Sequence, residues 1–76
     1  MDKNKDIYYK IGQNIKKQRK LKGLKQHELA DKLFLSHSFV SKLESVTHQT
    51  ISIDTLEEFA KVLDCDIKDF FDNIDE

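Results

Sequence analysis

The sequence predicts an all-α protein, a compact bundle of five short helices with a helix-turn-helix at its centre. Apolar residues recur at spacings of three and four along most of the chain, which is the period of an α-helix. The 76 residues include no proline and two glycines, so few positions interrupt a helix. With 38% hydrophobic and 36% charged residues, the composition is typical of a folded helical domain and not of a disordered chain.

The first helix is predicted to run from about Ile7 to about Lys22. Ile7, Ile11 and Ile15 recur at four-residue spacing and mark one face of this helix. Gly23 suits the left-handed position that commonly follows a helix end.

Two short helices are predicted next, at about residues 26–33 and 37–45. Their apolar positions are out of phase, which indicates that the chain turns between them. Residues 34–36 leave room only for a tight turn, and the Ser36 hydroxyl can cap the second of these helices by accepting a backbone N–H bond. The segment therefore predicts a helix-turn-helix.

A fourth helix is predicted after a loop rich in Thr and Gln, with Ser52 as its N-cap. Its predicted buried stripe consists of Ile53, Leu56, Phe59 or Ala60, and Leu63. Asp66 is predicted to cap a last short helix. The apolar residues of that helix are Ile67, Phe70, Phe71 and Ile74.

These helices are predicted to form a single domain over residues 6–74, after a flexible N-terminus at residues 1–5 and with a short acidic C-terminal end. No apolar run approaches the ~20 residues of a membrane span, and no signal-peptide pattern opens the chain, so we expect the protein in the cytoplasm. The single cysteine, Cys65, excludes an internal disulfide and suits a reducing compartment. Its apolar neighbours favour a buried structural thiol over a redox sensor.

The net charge of −1 conceals a strong asymmetry along the chain. Residues 1–48 carry eleven Lys and Arg against five Asp and Glu, whereas residues 49–76 carry two against nine. The basic half contains the predicted helix-turn-helix. This segregation favours nucleic acid as a partner over lysines that serve only solubility.

The outward side of the third helix is predicted from its apolar positions. If Val40 and Leu43 face the core, then Ser38 and Lys42 point the opposite way with Ser41 beside them. Hydroxyl and ammonium groups can bond to base edges or phosphates in the major groove of DNA. Taken alone, such a stripe is also typical of solvated surface, and its place in a helix-turn-helix is what favours DNA.

Four segments carry a resemblance that spans about residues 7–71. They are Ile11-Gly-x-x-Ile15-x-x-x-Arg19, Lys22-Gly-Leu-Lys-Gln26-x-x-Leu-Ala30-x-x-Leu33, Ser36-x-Ser38-x-Val40-Ser-Lys-Leu-Glu44, and Ser52-Ile-Asp-Thr-Leu56-x-x-x-Ala60-x-x-Leu63 with Phe70. The sequence thereby resembles the Cro and phage-CI-repressor type of helix-turn-helix regulators, the XRE family. The resemblance implies a lambda-repressor-like DNA-binding domain and a transcriptional regulator, in particular a repressor, whose third helix enters the major groove of a near-palindromic operator as a dimer.

The resemblance also implies roles for individual residues. Base contacts would come from His37, Ser38, Phe39, Ser41 and Lys42. Phosphate contacts would come from Lys25, Gln26, Ser36, Thr47, His48 and Gln49. Arg19 and Glu44 would form a structural pair that ties the first helix to the end of the third. If His37 and His48 approach phosphates, binding would strengthen at lower pH.

Among the departures of the chain from the family pattern, two bear directly on the predicted interface. Phe34 stands where the family often has glycine, and left-handed backbone costs a non-glycine residue about 1 kcal/mol, so we expect a turn of different shape. The loop after Glu44 carries no Lys or Arg. Charge alone then suggests other sources of phosphate contacts, namely Lys10, Lys16, Lys17 or Lys25.

A homodimer is predicted through the apolar residues of the last helix, Ile67, Phe70, Phe71 and Ile74. Because Phe70 and Phe71 are adjacent, either one completes the core while the other contacts a second copy, or both pack within one chain. No catalytic set, cofactor, metal site or small-molecule site is predicted. Two alternatives stay open: an antitoxin or anti-regulator whose main role is to bind a partner protein, and an interaction module without DNA binding.

Overall fold

The computed structural model describes residues 6–45 and 49–73. They form four α-helices, which are α1 at Ile7–Leu21, α2 at Gln26–Leu33, α3 at His37–Leu43 and α4 at Ile53–Leu63. A 3-10 helix follows at Ile67–Phe71. Within these ranges there is no strand, and no helix is long and apolar enough to cross a membrane. The predictions made for residues 1–5, for Thr47, His48 and Ile74, and for the acidic end lie outside the described residues.

The predicted all-α class is confirmed, but the prediction of five α-helices is wrong. The last element is a 3-10 helix of five residues that packs against α1 and α4. Its backbone is held by the side-chain amide of Asn14 on α1, which donates to the carbonyl oxygens of Phe70 and Asp72, each at 2.8 Å. So short a segment, with end carbonyls bonded to another helix, favours the tighter 3-10 winding.

The turn between α2 and α3 has the shape expected for glycine, so the expectation of a different turn at Phe34 is wrong. Phe34 is left-handed, with φ 57° and ψ 36°. The N–H of Leu35 donates to the carbonyl of Ala30 at 3.0 Å, and the N–H of Phe34 donates to Asp31 at 3.2 Å. These two bonds close the end of α2 and require a left-handed residue between them. The Phe34 side chain is 95% exposed, so it clashes with nothing.

The core lies where the helices meet, and its largest fully buried side chains come from every helical element. They are Phe59, Phe70, Ile15, Leu29, Leu43, Leu56, Leu63 and Val40. Phe70 therefore packs within the chain, and its predicted place in a dimer interface is wrong. Ile53 was predicted in the buried stripe of α4 but is 59% exposed, because in the first turn of that helix it borders an open groove with Ile7 and Phe71 and does not lie in the core. Phe59 and Ala60 are both buried.

Gly12 allows α1 to lie directly against the end of α3. A Cβ atom at this position would lie 1.8 Å from the carbonyl oxygen of Leu43. No side chain fits at that distance, and the obstacle is backbone, which cannot rotate away. The glycine therefore fixes how closely α1 packs on the helix that carries the predicted base-contacting residues.

Candidate nucleic-acid interface

One side of α3 is buried and the other is polar and open to solvent. Val40 and Leu43 are 0% and 1% exposed and hold the helix on the core. The exposed polar side chains are His37, Ser38, Ser41 and Lys42. Phe39, also predicted to contact bases, is half-buried and packs against the core, so only part of its ring faces outward. The structure thus brings four of the five predicted base-contacting residues to one exposed surface.

The N-terminus of α3 is fixed by Ser36. Its hydroxyl oxygen accepts a hydrogen bond from the N–H of Phe39 at 3.0 Å, which satisfies one of the free donors of the first turn. Ser36 was predicted to contact phosphate as well as to cap this helix. Its side chain is exposed beside His37, so the capping bond leaves it at the rim of the polar surface.

The C-terminus of α3 is fixed by an ion pair between Arg19 and Glu44. Arg19 Nε donates to Glu44 Oε2 at 2.8 Å and Nη2 donates to Oε1 at 2.9 Å, so the pair is bidentate. Arg19 is 7% exposed and Glu44 is 3% exposed. Arg19 Nη1 also donates to the carbonyl of Leu24 at 2.6 Å, and Gln26 Nε2 donates to Glu44 Oε1 at 3.1 Å. These bonds tie the end of α3 to α1 and to the start of α2.

Three of the residues predicted to contact phosphates lie at the start of α2 and in the loop between α3 and α4. Lys25 is exposed and precedes α2, where its N–H donates to the Glu28 carboxylate at 2.7 Å. Gln26 is half-buried and bonded to Glu44, so it supports α3 from the start of α2. Gln49 is half-buried, and its side-chain amide donates to the carbonyl of Thr50 at 3.1 Å.

Two residues that position α3 were not identified from the sequence. Gly12 permits its close contact with α1, and the side-chain amide of Gln13 donates to the carbonyl oxygen of Glu44 at 3.0 Å. A glycine inside a helix costs about 1 kcal/mol relative to alanine, so its presence there is a signal of close packing that the sequence did contain. Nothing in the sequence distinguishes Gln13 from other polar residues of α1.

The first residue of α3 makes a contact that was also not predicted. His37 Nε2 lies 2.9 Å from Asp31 Oδ1, across the turn from α2. The ring of His27 is close by, with its centroid 6.0 Å from that of His37. The side chains of His37 and Asp31 are 62% and 67% exposed, so the pair lies at the surface.

A basic groove lies on α1, close to the end of α3. It is shallow and open to solvent, and it is lined by Gln13, Lys16, Lys17, Lys20 and Leu21, all on α1. Across the described part of the chain, none of the three lysines is ion-paired. The bond from Gln13 to the carbonyl of Glu44 connects this groove to the C-terminal end of α3. The surface near α3 is therefore positively charged on the α1 side.

Cys65 is half-buried and packs against the core, which is less complete burial than the sequence predicted. Burial raises the pKa of its thiol, and the nearby Asp69 carboxylate raises it further, while Lys22 acts in the opposite direction. Within residues 6–45 and 49–73, no three His, Cys, Asp or Glu side chains are grouped so that they could hold a metal ion.

Known proteins are similar to this chain in both sequence and fold. It is 38% identical over 66 residues to the HTH-type transcriptional regulator SinR of Bacillus licheniformis, a match that covers 87% of this chain and 60% of that protein. The restriction-modification controller protein C.AhdI of Aeromonas hydrophila has a similar structure, with a TM-score of 0.76 and 30% identity over 84% of this chain and 96% of that chain. The crystal structure of SinR in complex with DNA matches with a TM-score of 0.75 and 39% identity over 82% of this chain and 98% of that chain.

The family follows from a match over most of the chain. A family model described as helix-turn-helix matches residues 15–70, a range that begins within α1 and ends in the 3-10 helix. The matched region contains the Arg19–Glu44 pair and the whole polar surface of α3. The protein belongs to the helix-turn-helix family of Cro/CI-type regulators, the XRE family.

Proposed function

We propose that this protein is a sequence-specific DNA-binding transcriptional regulator, in particular a repressor, that inserts α3 into the major groove. The observation that carries the proposal is the geometry of α3, a short helix whose outer side is polar and whose two ends are fixed by Ser36 and by Glu44. A helix held in this way can present side chains to base edges in a constant register. The similarity to SinR, which has been crystallised with DNA, supports the same partner. The proposal includes action in the cytoplasm and no enzymatic activity.

The proposed contacts follow the residues exposed around α3. Base contacts are assigned to His37, Ser38, Ser41 and Lys42, with Phe39 at the margin. Phosphate contacts are assigned to Lys25, Gln26, Ser36, Thr47, His48 and Gln49. Lys42 can donate to guanine O6 and N7, and the two serine hydroxyls can donate or accept.

Selection of bound sequences from random DNA with the purified full chain tests this function. We expect an enriched motif, and a footprint over it that is lost in the Ser38→Ala/Lys42→Ala variant. Lys61→Ala is the matched control, because Lys61 is also exposed but lies on α4. Sequence-independent binding with a steep salt dependence and no footprint would contradict the proposal. An interaction module that does not bind DNA would enrich no motif at all.

We also propose that the regulator binds as a homodimer, with the C-terminal region at the interface. The longest dimension of the chain is 33 Å, and a near-palindromic operator with half-sites ~34 Å apart, which the family resemblance implies, requires two copies. Phe71 is half-buried and lines an apolar groove of about 340 Å³ together with Ile7 and Ile53. Ile53 occupies the first position of the buried stripe predicted for α4, yet it is exposed in a single chain. A second copy packed against Ile53 would bury it.

Sedimentation of the wild-type chain and of Ile53→Ser at tens of micromolar tests the dimer. We expect the mass of a dimer for the wild type and a shift towards the monomer for the variant. Ile53 is mostly exposed, so its replacement is expected to leave the fold intact. A monomeric wild-type chain under these conditions would contradict the proposal.

A further inference from the structure

The side chain of His37 is held by a residue for which the proposed function assigns no role. Nε2 of His37 lies 2.9 Å from Oδ1 of Asp31. An ionised carboxylate can only accept a hydrogen bond, so Nε2 must be the donor. Asp31 lies in the last turn of α2, where the helix dipole disfavours a negative charge. Its presence there is therefore better explained by the bond to His37 than by the stability of α2.

This bond determines what the other ring nitrogen offers. When the imidazole is neutral and Nε2 carries the proton, Nδ1 has a free lone pair and accepts a hydrogen bond. When the imidazole is protonated, Nδ1 carries a proton and donates. In the major groove, the amino groups of adenine and cytosine donate, whereas O6 and N7 of guanine, O4 of thymine and N7 of adenine accept. The two protonation states of His37 thus match different bases.

We propose that Asp31 is a positioning residue that sets which base His37 reads. Neutral His37 selects a base with an amino group in the major groove, adenine or cytosine, and protonated His37 selects guanine or thymine, which offer only acceptors there. The proposal rests on the proposed function, because it requires α3 to lie in the major groove. Within residues 6–45 and 49–73, the titratable side chains in contact with the His37 ring are Asp31 and His27, both on α2, and the first turn of α3 contains no acidic residue.

The experiment uses the full chain and a motif selected from random DNA at pH 8. The operator position read by His37 is the one whose base preference disappears in His37→Ala. Dissociation constants are then measured for the four base pairs at that position, at pH 8 and at pH 5.5, for the wild type, Asp31→Ala and Asp31→Asn. The measured quantity is the ratio between base pairs, because overall affinity changes with the charge of any group near phosphate.

For the wild type we expect a preference of about three- to tenfold for adenine or cytosine at pH 8, and a change towards guanine or thymine at pH 5.5. Asp31→Ala is expected to reduce the pH 8 preference to less than about twofold at that position alone, because either ring nitrogen can then carry the proton. The carboxamide of Asp31→Asn can either accept from Nε2 or donate to it, so this variant is also expected to reduce the preference. Glu57→Ala, which removes an exposed carboxylate from α4, is the control and should alter no position.

The outcomes separate this inference from the proposed function. An Asp31→Ala protein that keeps the wild-type preference at the His37 position overturns the role of Asp31 while DNA recognition stands. A His37→Ala protein that weakens binding to all sequences equally shows a phosphate contact and overturns the inference in the same way. Absence of any enriched motif for the wild type overturns the proposed function and the inference together. Because Asp31 is mostly exposed, its variants are expected to fold, and their thermal unfolding is checked in parallel.

Discussion

Phe34 holds a backbone conformation to which its side chain contributes nothing. Three helices end in the same way, with left-handed residues Gly23, Phe34 and Asp64 after α1, α2 and α4. Glycine adopts this conformation without cost, and aspartate is several-fold enriched in it. Phenylalanine has neither advantage, and with 95% of its surface exposed it gains nothing from packing.

We therefore expect Phe34→Gly to raise the free energy of unfolding by about 0.5 to 1 kcal/mol, after allowance for the greater freedom of glycine in the unfolded chain. Phe34→Ala is the matched control, because it removes the same ring but keeps the Cβ atom that causes the strain. Its effect should be within about 0.5 kcal/mol of zero. Urea denaturation of the three proteins measures both values, and equal stability of the Gly and Ala variants would contradict the explanation.

Cys65 is predicted to be a slow nucleophile. Its thiol pKa is raised by burial and then by Asp69, and because the thiolate is the reactive form, the native protein holds less of it at neutral pH than an unfolded chain does. Alkylation by iodoacetamide at pH 7.5 should thus be slower in the native chain than in concentrated urea. The native rate should continue to rise with pH beyond the ordinary thiol range. A native rate equal to or above that in urea would instead support a redox-sensing thiol.

At the scale of the helices, apolar spacing predicted which segments are helical but only in part which of their residues are buried. The period of Ile7, Ile11 and Ile15 correctly indicated α1, and the phase change between α2 and α3 correctly indicated the turn. Ile53 obeys the period of α4 and is nevertheless exposed, because spacing identifies a face and only the neighbouring elements decide how far along that face the core extends. The 3-10 winding of residues 67–71 likewise depends on bonds from Asn14, more than fifty residues earlier in the chain.

The candidate site was likewise only partly predictable from the sequence. The polar side of α3 follows from the burial of Val40 and Leu43, since helix geometry relates the two faces. The bond between Asp31 and His37 depends on the angle at which α2 and α3 cross, and no local pattern encodes that angle. The phosphate-facing assignments rest on family resemblance and stay predictions.

Substitution of Gly12 by alanine tests the contact between α1 and α3, because helix propensity and the contact with Leu43 change the stability in opposite directions. In an open helix, Gly→Ala stabilises by about 1 kcal/mol. Here the new Cβ would meet the carbonyl oxygen of Leu43, so we expect Gly12→Ala to destabilise by about 1 to 3 kcal/mol. We also expect weaker protection of α3 amides in hydrogen exchange, since α1 must move away from that helix.

Lys17→Ala, an exposed substitution on the same helix, is the control and should change stability by less than about 0.5 kcal/mol. Thermal unfolding distinguishes the two variants. A Gly12→Ala protein as stable as the wild type would show that α1 and α3 can separate without cost.

For the whole molecule, the distribution of charge bears on how DNA is held. The loop that follows Glu44 in the sequence contains no Lys or Arg. The basic groove of α1 lies next to the end of α3, joined to it through Gln13, and its lysines have no described ion-pair partners. The acidic residues are concentrated in α4 and the segment after it. A DNA backbone that passes the end of α3 on the α1 side would therefore be attracted and not repelled.

This arrangement predicts that the groove supplies phosphate contacts that the loop lacks. Each phosphate contact contributes about 0.9 to the slope of log K against log salt concentration, so Lys16→Gln/Lys20→Gln should reduce that slope by up to about 1.8. The preferred operator sequence should not change, because phosphate contacts position a protein without reading bases. Lys61→Gln/Lys68→Gln removes the same charge from the acidic half and is expected to leave the slope unchanged. Equal slopes for the two double variants would mean that the α1 lysines act only through net charge, and a phosphate path along α1 would be excluded.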